Sequence, residues 1–106
     1  MKYCNNLTKF SRFKTRVVRV GNLEIGGNNP IRIQSMTITD TMDTIATVEE
    51  SIRMIEAGCE LVRITAPSKK EAENLKNIKD ELRKRGYNTP IVADIHFTPN
   101  AAEIAA

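Results

Sequence analysis

The sequence has no tryptophan, one histidine and two cysteines, with two tyrosines and three phenylalanines as its whole aromatic content. So small an aromatic set argues against a stacking platform for single-stranded nucleic acid. Cys4 and Cys59 lie far apart and fit no C-x-x-C spacing, so neither a cysteine metal site nor a disulfide framework is expected. Cys59 follows Gly58 and opens an apolar run, which reads as a small buried hydrophobe, whereas Cys4 sits in a polar terminus. No stretch approaches the roughly 18 apolar residues of a membrane span, and no apolar segment follows the basic N-terminus, so neither a membrane segment nor a secretory signal is expected. Acidic residues are missing before Glu24, while Lys2, Lys9, Arg12, Lys14, Arg16 and Arg19 precede it. That arm, residues 1–15 and a little beyond, carries more than the formal net charge of +3. It has no recognisable nucleic-acid module, with only Tyr3, Phe10 and Phe13 as stacking candidates, and reads as a solvated or packing arm.

The remainder has the balance of an ordinary soluble globular domain, with 41% hydrophobic and 27% charged residues. Val17, Val18 and Val20, then Leu23 and Ile25, are β-favouring runs around Gly21-Asn22, a hairpin signal. The cluster Gly26-Gly27-Asn28-Asn29-Pro30 closes this unit. A strand is expected over Ile31–Met36, then a polar loop over Thr37–Asp43. Ile45, Val48, Ile52 and Ile55 recur at helical spacing, with Asp43 or Thr44 as cap and Gly58 as stop. A second strand covers Leu61–Thr65. Ser68-Lys69-Lys70-Glu71 has the form of a capping box, in which serine and glutamate side chains each take a free amide. The second helix presents Ala72, Leu75, Ile78 and Leu82 and ends at Gly86. Ile91–Ile95 is a third strand, and Thr98-Pro99 opens a third helix.

The strands begin near Ile31, Leu61 and Ile91, 30 residues apart each time. Alternating β and α elements at this interval imply an α/β fold with a parallel sheet. Eight such units need about 240 residues, close to a TIM (β/α)8 barrel. The fold expected is therefore an N-terminal β-hairpin followed by the first three βα units of such a barrel, over residues 16–106. Three parallel strands leave both sheet edges unpaired, so the chain reads as part of a longer protein. A dinucleotide-binding sheet is disfavoured, since no G-x-G-x-x-G joins a strand to its helix.

In a βα barrel the reactive groups sit at the C-terminal ends of strands. The first strand tip offers Gln34, Ser35 and Thr37, the second Arg63 and Thr65, the third Asp94 and His96. An arginine inside Leu61-Val62-Arg63-Ile64 needs a buried acidic partner or an anionic ligand. Its planar two-pronged donor suits phosphate oxygens. A structural Arg63–Asp94 ion pair is the plainer alternative. His96 lies two residues from Asp94, on the same strand face. That pair is half of a metal site at most, and a phosphate or hydroxyl donor oriented by Asp94 is the favoured reading.

Several segments, in order and register, resemble the 4-hydroxy-3-methylbut-2-enyl diphosphate synthase family of the non-mevalonate isoprenoid pathway. They are Ile33-Gln34-Ser35-Met36-Thr37, Asp40-Thr41, Ala46-Thr47-Val48, Ala57-Gly58-Cys59-Glu60-Leu61-Val62-Arg63 and Val92-Ala93-Asp94-Ile95-His96-Phe97. The resemblance implies an oxidoreductase that opens the ring of 2-C-methyl-D-erythritol 2,4-cyclodiphosphate with two electrons and loss of water. It implies a TIM barrel that holds the diphosphate through Arg63, Asp94 and His96, with Gln34, Ser35 and Thr37 beside them. It also implies a [4Fe-4S] cluster in a C-terminal domain, a ferredoxin or flavodoxin as electron donor, and a cytoplasmic (in plants, plastid) homodimer. Cys4 and Cys59 match none of the family's cluster cysteines, so this stretch is expected to bind no cluster and to have no catalytic residue or reductase activity alone. Ile38 stands where the family more often has a polar residue. The rival readings are another phosphate-binding barrel, such as a pterin-binding synthase, and a non-enzymatic binding module built on the basic arm.

Overall fold

The computed structural model describes residues 6–106, so Cys4, Lys2 and Tyr3 lie outside the described residues. The chain divides into two compact units, one ending at Ile31 and one spanning Arg32–Ala106. The first holds the hairpin, β1 (Val18–Val20) and β2 (Leu23–Ile25), paired antiparallel with Val18 opposite Ile25 and Val20 opposite Leu23. Gly21 takes φ +60° at the first turn position, as the two-residue connection requires. Gly26 follows at φ +91°, and a Cβ there would stand 2.4 Å from the Arg16 carbonyl oxygen, so only glycine fits this close approach.

The second unit is the expected βα series: β3 (Gln34–Met36), α1 (Thr44–Glu56), β4 (Leu61–Ala66), α2 (Lys69–Lys84), β5 (Ile91–Ile95) and α3 (Pro99–Ala105). Its three strands are parallel, in the order β3-β4-β5. This is an α/β fold with a hairpin before βα units, and the described residues close no barrel. No helix among them is long and apolar enough to cross a membrane.

The core lies between the sheet and the helices. Val62, Ile64 and Ala66 point to that side from β4, and Ile91, Ala93 and Ile95 pack there from β5. The helices contribute Val48, Ala72, Leu75, Ile78, Leu82 and Ala101. Strand alternation then sends Arg63, Thr65, Val92 and Asp94 to the opposite face.

Three expectations are corrected in detail. The first parallel strand begins at Gln34, not Ile31, because the carbonyl of Ile33 accepts from both Glu60 N and Leu61 N, while its amide donates to the Glu60 carboxylate at 2.8 Å. Those contacts hold the chain extended but outside the ladder. The buried face of α1 centres on Thr47, Val48 and Ser51, with Ile45 half exposed. This rotation is tolerated because both hydroxyls are satisfied: Thr47 Oγ1 donates to the Asp40 carbonyl at 2.9 Å and Ser51 Oγ to the Thr47 carbonyl at 2.7 Å. At the start of α2, the Ser68 hydroxyl donates to the Glu71 carboxylate and caps no amide, which also holds Glu71 below the usual carboxylate range. The other caps follow expectation: Asp43 accepts from Ala46 N at 3.1 Å, and Gly58, at φ +112°, follows the end of α1.

Candidate anion-binding site

Arg63 sits in the middle of β4, and Asp94 one strand over on β5, opposite Thr65 in register. Both are on the sheet face turned away from the helices, which is why a charged pair can stand in strands otherwise made of core residues. The Arg63 guanidinium donates from Nη2 to Asp94 Oδ1 at 2.9 Å. His96, just past the end of β5, brings Nε2 to within 3.2 Å of Asp94 Oδ2. An ionised carboxylate only accepts, so the proton belongs on Nε2 and the His96 Nδ1 atom is not the one engaged with Asp94. One carboxylate thus holds a guanidinium on one oxygen and an imidazole on the other.

The electrostatics follow from this arrangement. The Arg63 guanidinium first, and the His96 ring second, hold the Asp94 carboxyl below the usual carboxylate range. Side-chain exposure is 42% for Arg63, 17% for Asp94 and 47% for His96, so the acid lies beneath and both nitrogen groups remain open to solvent. Arg63 has five N–H donors, of which Asp94 engages one nitrogen's. Its Nε is buried without a partner, as is the hydroxyl of Thr37. The guanidinium N–H groups that Asp94 leaves free form a donor surface suited to an oxyanion.

The loop after β3 borders this face. Thr37 N donates to the Arg63 carbonyl at 3.0 Å, which places Thr37 beside the arginine, and its side chain is buried. Gln34 and Met36 pair with Leu61 and Arg63 and so share the site's face, whereas Ser35 pairs with Val62 and falls on the helix-facing side. The structure therefore brings Arg63, Asp94 and His96 together and puts Gln34 on the same face two residues toward the strand start, whereas Ser35 and, two residues on, the side chain of Thr37 alternate to the helix-facing side, so Thr37 meets Arg63 through its backbone alone. After His96, Phe97 takes φ +55° with its ring fully exposed, a left-handed backbone that costs a bulky residue on the order of 1–2 kcal/mol. Strain of this kind concentrates at functional sites.

Two residues that sequence reasoning passed over fix the loop. Glu50 on α1 accepts the amides of Ile38 and Thr39. Asn74 on α2 donates to the Thr41 carbonyl at 2.7 Å and to Thr44 Oγ1 at 3.0 Å. Thr41 in turn donates to the Thr65 carbonyl at 2.7 Å, at the end of β4. The signal for Asn74 was present, since it stands one turn before Ile78 on the buried face, where an amide requires partners. Glu50 left no comparable mark.

A [4Fe-4S] cluster needs several thiolates in one place. Among the described residues, no three His, Cys, Asp or Glu side chains are placed to hold a metal ion. The single described thiol, Cys59, is buried, and its sulfur donates to the Leu61 carbonyl at 2.7 Å and accepts from Ser35 N at 3.1 Å, at the opposite end of the strands from His96. These residues do not fit a cluster.

Residues 15–106 match the family model described as the GcpE TIM-barrel domain. The chain belongs to the GcpE family. The match separates this GcpE chain from the pterin-binding synthases as a barrel reading. A relative in Akkermansia muciniphila, named 4-hydroxy-3-methylbut-2-en-1-yl diphosphate synthase (flavodoxin), is 54% identical over 104 residues, covering 98% of this chain and 18% of its own length. One in Phocaeicola vulgatus with the same name is 55% identical over 101 residues, 95% of this chain and 16% of its own. The Arabidopsis thaliana protein named 4-hydroxy-3-methylbut-2-en-1-yl diphosphate synthase (ferredoxin), chloroplastic, is 52% identical over 101 residues, 95% of this chain and 14% of its own. This chain therefore spans less than a fifth of the length of these relatives.

Proposed function

We propose that this GcpE-family chain supplies part of the diphosphate pocket of a 4-hydroxy-3-methylbut-2-enyl diphosphate synthase. The reaction is the two-electron reductive ring opening of 2-C-methyl-D-erythritol 2,4-cyclodiphosphate. The observation that carries this reading is the placement of Arg63 and His96 on the two oxygens of Asp94, at the end of the sheet where βα barrels bind substrate. The family and the names of its relatives support the choice of reaction and of flavodoxin or ferredoxin as the donor. A [4Fe-4S] cluster, which the described residues do not fit, would be held by residues of the whole protein outside them. The whole protein is read as a cytoplasmic homodimer, or as a plastid protein in a plant-type source.

The share of this chain is binding and orientation. Arg63 meets phosphate oxygens with the donors that Asp94 leaves open, and its fixed fork gives the diphosphate one orientation. His96, held through Nε2, is placed to direct Nδ1 at the same anion, as a donor in its protonated form. Asp94 touches neither the anion nor the leaving oxygen. It positions the guanidinium and the imidazole for the diphosphate. Gln34, on the face of Arg63, lines the approach, while Ser35 and Thr37 stand on the other side of β3 and are given no contact with the anion. Preorganised donors aimed at a developing negative charge are the protein's main lever in such chemistry.

The test is turnover of the cyclodiphosphate by the purified full-length protein, of which this chain is read as a part, with reduced flavodoxin, ferredoxin or dithionite, followed by phosphorus NMR. Conversion of the cyclic diphosphate to an open-chain diphosphate is expected. A purified, reduced protein that binds the cyclodiphosphate and leaves it intact would remove the reaction while keeping the pocket.

A further inference from the structure

The loop joining β3 to α1 is fastened residue by residue at its start. Thr37 N donates to the Arg63 carbonyl at 3.0 Å. The next two amides turn the other way, to a single side chain on α1. Ile38 N meets Glu50 Oε1 at 3.2 Å and Oε2 at 3.1 Å, and Thr39 N meets Oε2 at 3.1 Å. Amide bonds to a carboxylate are charge-assisted and stronger than bonds to a neutral acceptor. Further along, Thr39 Oγ1 and Thr47 Oγ1 lie 2.9 Å apart and Thr47 Oγ1 donates to the Asp40 carbonyl, so the loop is tied to the same helix a second time.

Nothing apolar accounts for this attachment, because the Ile38 side chain is almost fully exposed. Among the described residues, the two buried side-chain polar atoms without a protein partner, Thr37 Oγ1 and Arg63 Nε, belong to the two residues whose backbones this fastening joins. A loop held only for stability has no reason to leave such groups without a protein partner, since each unmade bond costs about 1–3 kcal/mol. A loop held to keep the Arg63 strand in place for a ligand does.

We propose that Glu50 is a positioning residue for the anion site: its carboxylate fixes Thr37–Thr39 against Arg63 and so sets the guanidinium for an incoming diphosphate. This inference rests on the reading of Arg63, Asp94 and His96 as that site. Glu50 touches no ligand and acts through the loop backbone.

The experiment is a double-substitution cycle on the purified protein, with inorganic pyrophosphate as probe and calorimetry as readout. Glu50→Gln, which keeps one acceptor oxygen, is expected to weaken pyrophosphate binding roughly threefold or more, the scale of coupling within one bonded network. In an Arg63→Ala background the same change is expected to have no further effect. A purely structural role would instead lower the thermal midpoint and leave affinity at low temperature unchanged, which overturns the proposal. Equal weakening with and without Arg63 overturns it as well. If Arg63→Ala alone leaves affinity unchanged, the anion site itself is wrong and the inference falls with it. Should Glu50→Gln fail to fold, Glu50→Asp takes its place in the cycle, with the same outcomes.

Discussion

Replacing Arg63 by alanine separates a binding role from a structural one, because the two have different magnitudes. As a structural feature, the Arg63–Asp94 pair joins a guanidinium that is nearly half exposed to a carboxylate that is mostly covered. Pairs exposed to that degree contribute about 0–1 kcal/mol to stability. His96 remains on the other carboxylate oxygen, so Asp94 is not stranded when Arg63 is removed. As a ligand donor, Arg63 supplies a charge-assisted bond of about 1.5–3 kcal/mol, or roughly tenfold to 150-fold in the dissociation constant. The unbalanced Asp94 carboxylate then repels the diphosphate and adds to the loss. Calorimetric titration with inorganic pyrophosphate at two salt concentrations, beside urea unfolding, gives both quantities. We expect at least a tenfold weakening of binding, a loss of stability no larger than about 1 kcal/mol, and a shallower salt dependence. Arg63→Lys should fall between, since a point charge cannot serve Asp94 and a phosphate in the same fork geometry. Affinity that stays within twofold of wild type would refute the assignment.

The Asp94 carboxyl lies below its ordinary range chiefly because of Arg63, so its share of stability is present above the ordinary carboxylate range and is lost as pH falls through the lowered folded value. In Arg63→Ala the folded value rises towards the unfolded one, so that loss is smaller and is complete at higher pH, visible in urea midpoints measured across the acid limb; identical limbs would count against the pairing. Ile78→Ala, in the fully buried middle of α2, should cost about 2–5 kcal/mol in chemical denaturation, against about 0.5 kcal/mol or less for the exposed Ile38→Ala. Phe97→Gly should be close to neutral, because its exposed ring makes no packing to lose and glycine accepts φ +55° freely. Phe97→Val should destabilise by about 1 kcal/mol or more, since β-branched residues avoid that region, and equal midpoints for the two variants would show the strain to be absent.

Periodicity made most of the architecture legible. The interval between Ile31, Leu61 and Ile91 marked three units, and Ala72, Leu75, Ile78 and Leu82 all fill the core as their spacing implied. It was less informative where polar side chains are satisfied by backbone. The hydroxyls of Thr47 and Ser51 look out of place on a buried face until their carbonyl partners are seen, so hydrophobicity alone placed the face of α1 too near Ile45. The start of β3 was misplaced because a side chain, Glu60, takes the Ile33 amide that a neighbouring strand would otherwise take. At the site, strand alternation predicted that Asp94 and His96 share a face and left open whether Arg63 serves an acid or a ligand. The geometry shows the acid contact and leaves guanidinium donors exposed, which is what the proposed ligand role requires. Ser35 shows the limit of naming a strand tip from residue type, because a shift of one position reverses the face. Glu50 was invisible for a different reason: its partners are backbone amides, which no sequence pattern displays.

The central claim is that Arg63 and His96, joined by Asp94, receive one anion together. Titrating the isotope-labelled protein with inorganic pyrophosphate while following the Arg63 guanidinium and His96 ring resonances tests it most directly. Both sets should shift along a single binding curve, and both shifts should collapse in Arg63→Ala. Perturbations confined to the basic residues Lys9, Arg12, Lys14 and Arg16, with the Arg63 and His96 side chains unmoved, would contradict it.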